Sequence, residues 1–181
     1  FTKAHNHLIR HSKQSSADFY LTLHAELTLE PNFVSELVNV LIKNPKNASA
    51  SGKLRLWNMA DGSEGKTNFL DSTGLLVTRE HRFVNRGEGE IDHGQYDNEG
   101  EVFGVPGTAA LYRMSALQDV AFINEQREEE FFDELMLMYK EDVDLAYRLQ
   151  LAGYRALYSP FAVAYHTKPA AAIAGRGMFS T

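Results

Sequence analysis

The chain has 181 residues, of which 44% are apolar and 23% are charged, and its formal net charge is -6. This composition is typical of one globular domain and excludes a disordered, fibrous or low-complexity protein. The absence of cysteine excludes a disulfide scaffold, a thiolate zinc site and a cysteine nucleophile, and no apolar run reaches the roughly 18 residues that an integral membrane segment needs.

The first part of the chain is predicted to alternate helices with strands. Ala4 and Leu8 lie one helical turn apart and predict one face of an N-terminal helix. Aromatic and β-branched residues favour a strand directly after it, and Glu30-Pro31 is typical of a second helix start. The predicted elements are a helix at residues 2–14, a strand at 19–23, a helix from 30 to 44, and strands at 54–59 and 69–77.

The second part begins with residues 78–101, whose many glycines and charged residues predict a long, structured loop. A Pro-Gly turn and a short strand follow within residues 102–113, and Ser115 is predicted to cap a helix. The remaining predicted elements are a helix at 116–120, an apolar segment at 131–139, a helix at 142–152 that Gly153 ends, and strands at 154–158 and 161–165 separated by Ser159-Pro160. Together these elements predict an α/β sandwich around a mixed sheet.

The negative charge is concentrated in one stretch. Residues 125–144 contain nine acidic and two basic residues, whereas the rest of the chain is close to neutral. The acids at 128–130 are interpreted as a solvated helix face or, alternatively, as part of a site that holds a divalent metal or removes a proton. No basic stripe exists, so nucleic acid is not expected as a partner.

Three acids mark the predicted start of the helix at 142–152. Asp144 has a structural explanation, because its carboxylate can serve the free amides of the first turn. Glu141 and Asp142 are left without that role, and partial burial beside the preceding apolar segment would raise their basicity. We therefore interpret these two as candidate general bases.

A second group of candidates follows two predicted strands. His24 and Glu26 come directly after the strand at 19–23, at a place where open α/β sheets bind ligands, and His166 follows an apolar strand. Imidazole and carboxylate together form a normal divalent-metal set. Glu26 could equally be a solvated loop acid, and His166 a hydrogen-bonded edge residue.

At this point the sequence resembles a known family. The runs VFGVPGTAALYRMSALQDV and FFDELMLMYKEDVDLAYRLQLAGYRALYSPFAVAYH are similar to the family 2 glycosyltransferases, and especially to bacterial rhamnosyltransferase-like members that build cell-surface polysaccharides. The resemblance implies a GT-A fold and an inverting transfer from a nucleotide-sugar donor, with Mg²⁺ or Mn²⁺ bound to the donor diphosphate.

The resemblance also implies roles for individual residues. Asp142 aligns with the catalytic base of the family, with Glu141 beside the acceptor. His24-Ala25-Glu26 stands where the family has a metal-binding motif that ends in aspartate, and His166 matches a histidine that completes this metal site in several relatives. The residues implied to contact the nucleotide or the donor sugar are Asn6, Gly107, Thr108 and Ala109.

The same resemblance implies a saccharide or lipid-linked acceptor and a cytoplasmic location, with peripheral contact at the cytoplasmic face of the membrane. Family members begin with a nucleotide-binding βαβ unit that this sequence lacks. We therefore expect residues 1–181 to be a single GT-A fragment that is truncated at its N-terminus, with a partly extended tail at 167–181.

Two alternatives to this function come from different classes. The first is a non-catalytic carbohydrate-binding or assembly module, which the unusual His24-Ala25-Glu26 motif favours. The second is a glycosidase, which would have two carboxylates facing each other across a cleft and no metal.

Overall fold

The structure, a computed structural model, describes residues 1–57, 65–136 and 140–168. Four helices and eleven strands lie within these residues. The helices are α1 (Thr2–Gln14), α2 (Phe33–Lys43), α3 (Met114–Asp119) and α4 (Glu141–Leu151). The strands are β1 (Phe19–Leu23), β2 (Leu27–Leu29), β3 (Asn47–Trp57), β4 (Lys66–Ser72), β5 (Leu75–Val77), β6 (Phe83–Asn85), β7 (Gly100–Val102), β8 (Ala109–Arg113), β9 (Phe122–Ile123), β10 (Glu129–Glu130) and β11 (Arg155–Thr167).

The main sheet is mixed, as the sequence predicts. Its strand order is β1-β8-β3-β11-β2, and β4 pairs with β3 while β7 pairs with β11. The long central pair β3–β11 is parallel, and the other pairs are antiparallel. The two remaining pairs among the described residues, β5–β6 and β9–β10, form small separate ribbons.

Hydrophobic cores cover both faces of this sheet, because side chains of a strand alternate between its two faces. In β8, Ala109 and Leu111 face a core with α2, whereas Ala110 and Tyr112 face a second core that includes residues of α1, α3 and α4. The predicted sandwich of helices around a mixed sheet is therefore confirmed.

The C-terminal strand differs from the prediction. Residues 154–158 and 161–165 were expected to form two strands, but β11 runs through Ser159 and Pro160 without interruption. Its pairing with β3 shifts register between Ser159 and Val163. Pro160 lies within this irregular stretch, and proline is tolerated there because no ladder hydrogen bond requires its missing N–H.

Helix α1 has the predicted bounds but buries a different face. Ala4 and Leu8 are exposed, and the buried residues are Thr2, Asn6 and Ile9. The prediction was wrong because the buried face combines apolar Ile9 with polar residues, of which Asn6 is buried with hydrogen-bond partners.

Three other local predictions are corrected by the structure. Ser115 does not cap a helix, because α3 begins one residue before it and Arg113 occupies the N-cap position. The strand predicted at 69–77 is divided into β4 and β5 by Gly74, whose φ of +115° interrupts an extended chain. The acids at 128–130 do not lie on a helix face, because β9 and β10 form a hairpin there.

Some predictions fall on residues outside the described ranges. These are the end of the strand predicted at 54–59, the last three residues of the apolar segment at 131–139, and most of the tail at 167–181. In the described part of the chain, no helix is long and apolar enough to cross a membrane.

An ion cluster with a buried centre fixes the long loop between β6 and β7 to the sheet. The Lys53 ammonium of β3 lies 2.9 Å from a carboxylate oxygen of Asp92, and Arg55 and Asp97 complete the cluster. The side chains of Lys53 and Asp92 are only 3% and 2% exposed. Although burial opposes ionisation, hydrogen bonds from Arg55 and Lys53 lower the pKa of Asp92 to about 2.

Candidate functional site

The N-terminus of α4 presents Asp142 to a cleft. Lys140 precedes the helix in the left-handed conformation, with a φ of +74°. Asp142 Oδ1 accepts a hydrogen bond of 2.8 Å from the Val143 N–H, and Oδ2 accepts one of 3.2 Å from the Gly107 N–H. Both oxygens are thus held by backbone donors, which fix the orientation of the carboxylate.

Asp144 was predicted to accept hydrogen bonds from the free amides of the first helical turn, but it has a different role. Its carboxylate accepts a hydrogen bond from Arg148, four residues later on the same helix. It does not line the cleft that Asp142 faces. This difference makes Asp144 a suitable control for Asp142.

Glu141 is half-buried beside Asp142. Its Oε2 atom is inaccessible to solvent and has no hydrogen-bond partner among the described residues. Burial raises the pKa of Glu141, and the negative charge of Asp142 adds to this effect, although a backbone hydrogen bond opposes it. The side chain is therefore held in an environment that favours proton uptake.

The opposite wall of the cleft is formed where β1 and β11 end. The His24 N–H donates to the Thr108 carbonyl at 2.9 Å, and the Thr167 N–H donates to the Glu26 carbonyl at the same distance. These bonds bring together His24, Glu26 and His166, each of which offers one ligand atom within 4.8 Å of the others. It is the one such group of three found in the described residues.

The protonation state of His24 suits coordination of a metal. Burial lowers the pKa of His24, and the neighbouring His166 lowers it further, although Glu26 and Asp71 oppose the shift. A lowered pKa keeps the imidazole neutral and its lone pair available to a metal. Two imidazoles and one carboxylate therefore fit a divalent metal.

Asp71 and Lys168 belong to the same wall but were not predicted. Asp71 Oδ2 lies 2.8 Å from His166 Nδ1, and its Oδ1 accepts a hydrogen bond from Lys168. Burial alone would raise the pKa of Asp71, but the His166 hydrogen bond and the Lys168 charge lower it overall. Asp71 lies on β4, far from either motif in sequence, so no local pattern indicated it.

A cavity of about 580 Å³ joins the two walls. Six predicted site residues line it, with Lys140, Lys168 and residues of β5 and β6 among the other lining groups. The six are His24, Gly107, Thr108, Glu141, Asp142 and His166. The structure therefore brings both candidate bases and two of the three candidate metal ligands, His24 and His166, to one space.

Of the other predicted residues, Glu26 and Ala109 lie around this cavity rather than in its wall. Glu26 is exposed beside His24, and Ala109 is fully buried in β8, opposite Leu23 of β1. Gly107 lies between the carboxylates and Phe1, so that an added Cβ would lie 3.7 Å from the Asp142 Cβ and 3.5 Å from the Phe1 ring. The absence of a side chain at Gly107 leaves this space at the cavity for a ligand.

Asn6 does not support the predicted contact with a nucleotide. It is fully buried in α1 and does not line the cavity. Its amide nitrogen donates to the Phe132 carbonyl and to Glu134, and its oxygen accepts from the N–H groups of Phe131 and Phe132. Asn6 thus fixes the segment that leads into α4.

Known proteins resemble this chain in sequence and in structure. The sequence model described as glycosyl transferase family group 2 matches residues 20–173. The chain is 27% identical over 150 residues to glucomannan 4-beta-mannosyltransferase 7 of Arabidopsis thaliana, covering 83% of this chain and 23% of that protein. It is 27% identical over 156 residues to an N-acetylglucosaminyltransferase of Rhizobium leguminosarum bv. viciae, covering 86% of this chain and 33% of that protein.

A solved structure confirms the fold. GalNAc-T7, crystallised with UDP, GalNAc and Mn²⁺, matches with a TM-score of 0.58 at 10% identity, covering 89% of this chain and 30% of that one. The predicted GT-A fold is therefore confirmed. The chain spans about a quarter to a third of the length of the relatives that it matches.

Proposed function

We propose, from the premise that the chain belongs to glycosyl transferase family group 2, that it carries the catalytic centre of a metal-dependent, inverting glycosyltransferase. The observation that carries the proposal is the single cavity lined by the Glu141–Asp142 pair on one side and by His24 and His166 on the other. In a displacement at a sugar carbon that a metal assists, the base and the metal lie on opposite sides of this carbon, because the acceptor attacks opposite the leaving group.

In the proposed reaction, Asp142 removes the proton from an acceptor hydroxyl as its oxygen attacks the anomeric carbon of the donor. The bond between this carbon and the diphosphate oxygen breaks, and the nucleoside diphosphate leaves with the bonding electron pair. One attack inverts the anomeric configuration. The two backbone hydrogen bonds to Asp142 fix the orientation of its carboxylate.

His24, Glu26 and His166 would hold the divalent metal. When bound, the metal supplies positive charge to the departing diphosphate. Two imidazoles in the set favour Mn²⁺ over Mg²⁺, because Mg²⁺ prefers oxygen ligands. The GalNAc-T7 structure, which contains Mn²⁺ and UDP, supports the use of a divalent metal by analogy.

The donor and the acceptor are proposed only as classes. Gly107 and Thr108 would lie beside the donor sugar, a hexose or deoxyhexose such as the rhamnose that the resemblance implies, whereas Ala109 is buried in β8 and does not line the cavity. The names of the relatives refer to mannosyl and N-acetylglucosaminyl transfer, so these sugars belong to the same class of candidates. A saccharide or a lipid-linked acceptor, a cytoplasmic location and contact with the membrane face stay predictions.

Calorimetric titration of the full-length gene product tests this function. The probes are Mn²⁺ and three donors, namely UDP-N-acetylglucosamine, GDP-mannose and dTDP-rhamnose, and each donor is titrated with and without the metal. We expect one donor to bind only with Mn²⁺, and His24→Ala to abolish both Mn²⁺ and donor binding. His11→Ala is the matched control, because His11 is an exposed histidine of α1 outside the cavity.

Two other outcomes would contradict the proposal. Binding of glycans without any donor binding would indicate a non-catalytic carbohydrate-binding module. Hydrolysis of a glycoside without metal would indicate a glycosidase.

A further inference from the structure

His166 has one ring nitrogen engaged before any ligand enters the cavity. Its Nδ1 atom lies 2.8 Å from Asp71 Oδ2, and both residues are buried, at 8% and 3% exposure. The other carboxylate oxygen of Asp71 accepts a hydrogen bond from Lys168. Asp71 thus bridges a histidine and a cation of the cavity wall.

The chemistry of a carboxylate decides which His166 nitrogen carries the proton. A charged carboxylate only accepts hydrogen bonds, so its partner Nδ1 must donate, and the Nε2 atom of a neutral ring is then left with a free lone pair. Because Nδ1 is engaged by Asp71, Nε2 is the nitrogen available to the group formed with His24 and Glu26. A carboxylate that orients a histidine in this way stabilises metal coordination.

We propose that Asp71 is a positioning residue that holds His166 as the Nδ1–H tautomer, with Nε2 directed to the His24–Glu26 group. This inference rests on the proposed function, because it assigns the Nε2 lone pair to the metal. Lys168 fixes Asp71 from its other oxygen and also pairs with Glu88 at 3.7 Å. The tautomer of His166 is therefore set by β4, a strand that contributes no metal ligand.

A purely structural role for Asp71 is the competing explanation. In that case Asp71 would serve only as the counter-ion of Lys168, near the end of β11. The two explanations differ in the effect on His166, because a counter-ion role leaves the tautomer of His166 undetermined. They also differ in the effect of Lys168→Met, which removes the ion pair but keeps the Asp71–His166 hydrogen bond.

The first measurement is the tautomer of His166 in the metal-free protein. Long-range ¹H–¹⁵N spectra of ¹⁵N-histidine-labelled full-length protein, at about pH 8 where free imidazole is neutral, distinguish the two tautomers. The His166→Gln variant assigns the signal. We expect the Nδ1–H form in the wild type and in Lys168→Met, and a mixture of tautomers in Asp71→Leu.

The second measurement is the Mn²⁺ affinity of the same proteins. The double variant Asp71→Leu/Lys168→Met removes one negative and one positive charge, so it leaves the net charge near the site unchanged. It also avoids leaving the partly buried Lys168 without Asp71, the nearer of its two acidic partners. We expect this variant to bind Mn²⁺ roughly 10–100-fold more weakly than the wild type, and Lys168→Met to bind at least as tightly as the wild type.

The outcomes separate this inference from the proposed function. An Nε2–H tautomer in the wild type, or unchanged tautomer and Mn²⁺ affinity in the folded double variant, would overturn the role of Asp71 even if Mn²⁺ binds. A wild type that shows the Nδ1–H tautomer but does not bind Mn²⁺ would overturn the proposed metal set, while leaving the positioning of His166 by Asp71 intact.

Discussion

Replacement of Asp142 by asparagine changes the candidate base and little else. The two side chains have nearly the same shape, but the amide has one acceptor oxygen where the carboxylate has two. In the structure, the two carboxylate oxygens accept from Val143 N–H and Gly107 N–H. Asparagine can keep one of these bonds and must turn its own N–H₂ group towards the other donor.

Asp142→Asn is expected to affect stability and activity to different extents. Loss of one hydrogen bond to a charged group costs about 1.5–3 kcal/mol, and each kcal/mol lowers Tm by about 2–4 °C in a domain of this size. Loss of a general base lowers the rate roughly 10²–10⁴-fold, which corresponds to about 2.7–5.4 kcal/mol in the activation barrier. We therefore expect a modest fall in Tm together with a near-complete loss of transfer.

The assay compares three quantities in the full-length gene product, namely the transfer rate at saturating donor, the donor Kd with Mn²⁺ present, and Tm. Asp142→Asn should lower the rate and leave the donor Kd nearly unchanged. Asp144→Asn is the matched control, since Asp144 lies on the same helix but pairs with Arg148 outside the cavity. We expect it to keep the transfer rate. Retention of transfer by Asp142→Asn would refute the assignment of the base.

Three further predictions concern stability. Because burial raises the pKa of Glu141, ionisation of this side chain lowers the stability of the fold above the ordinary carboxyl pKa. Glu141→Gln should therefore raise Tm at about pH 8 and change it little at about pH 4. An equal change of Tm at the two pH values would contradict this prediction. The pKa of Asp92 is lowered to about 2, so the stability that Asp92 contributes is complete above about pH 4 and is lost towards about pH 2. We therefore expect Asp92→Asn to lower the free energy of unfolding in urea by about 3–5 kcal/mol at neutral pH and by less in acid. At Gly52, an added Cβ would lie 2.0 Å from the Ala162 carbonyl oxygen, so Gly52→Ala should lose cooperative thermal unfolding, whereas Gly100→Ala, with nothing within 4 Å of the added atom, should not.

The elements that the sequence predicted well are those with a local physical signature. Helix α2 follows a 3.6-residue apolar period, and α4 ends before Gly153, whose φ of +90° suits only a residue without a side chain. Strand β1 is marked by its aromatic and β-branched residues. Each of these signals lies within one element, so a single sequence was sufficient to read it.

The errors arise where a tertiary contact replaces a local rule. Asn6 is buried because it bonds the backbone around Phe132, more than a hundred residues away. The hairpin at β9–β10 replaces the predicted acidic helix face, and Glu129 of this hairpin pairs with Lys13 of α1. No local pattern in the sequence reports such partners.

The candidate site was predicted in part for the same reason. Glu141, Asp142 and His166 stand at the ends of recognisable elements, so the sequence indicated them as candidates. Asp71 lies within a strand and approaches His166 only through the fold, across 95 positions in the chain. Its role depends on the order of the sheet, in which β3 separates β4 from β11.

The spacing between the two walls of the cavity depends on two consecutive residues. On the wall that carries Glu141 and Asp142, the Gly107 N–H donates to Asp142. On the wall that carries His24 and His166, the Thr108 carbonyl accepts from the His24 N–H. Because a peptide unit is planar and rigid, this short segment restrains the distance between the proposed base and the proposed metal ligands. The absence of a side chain at Gly107 keeps the space between them open. The role of Gly107 and Thr108, which precede β8, therefore goes beyond packing, because they connect the two walls without filling the cavity.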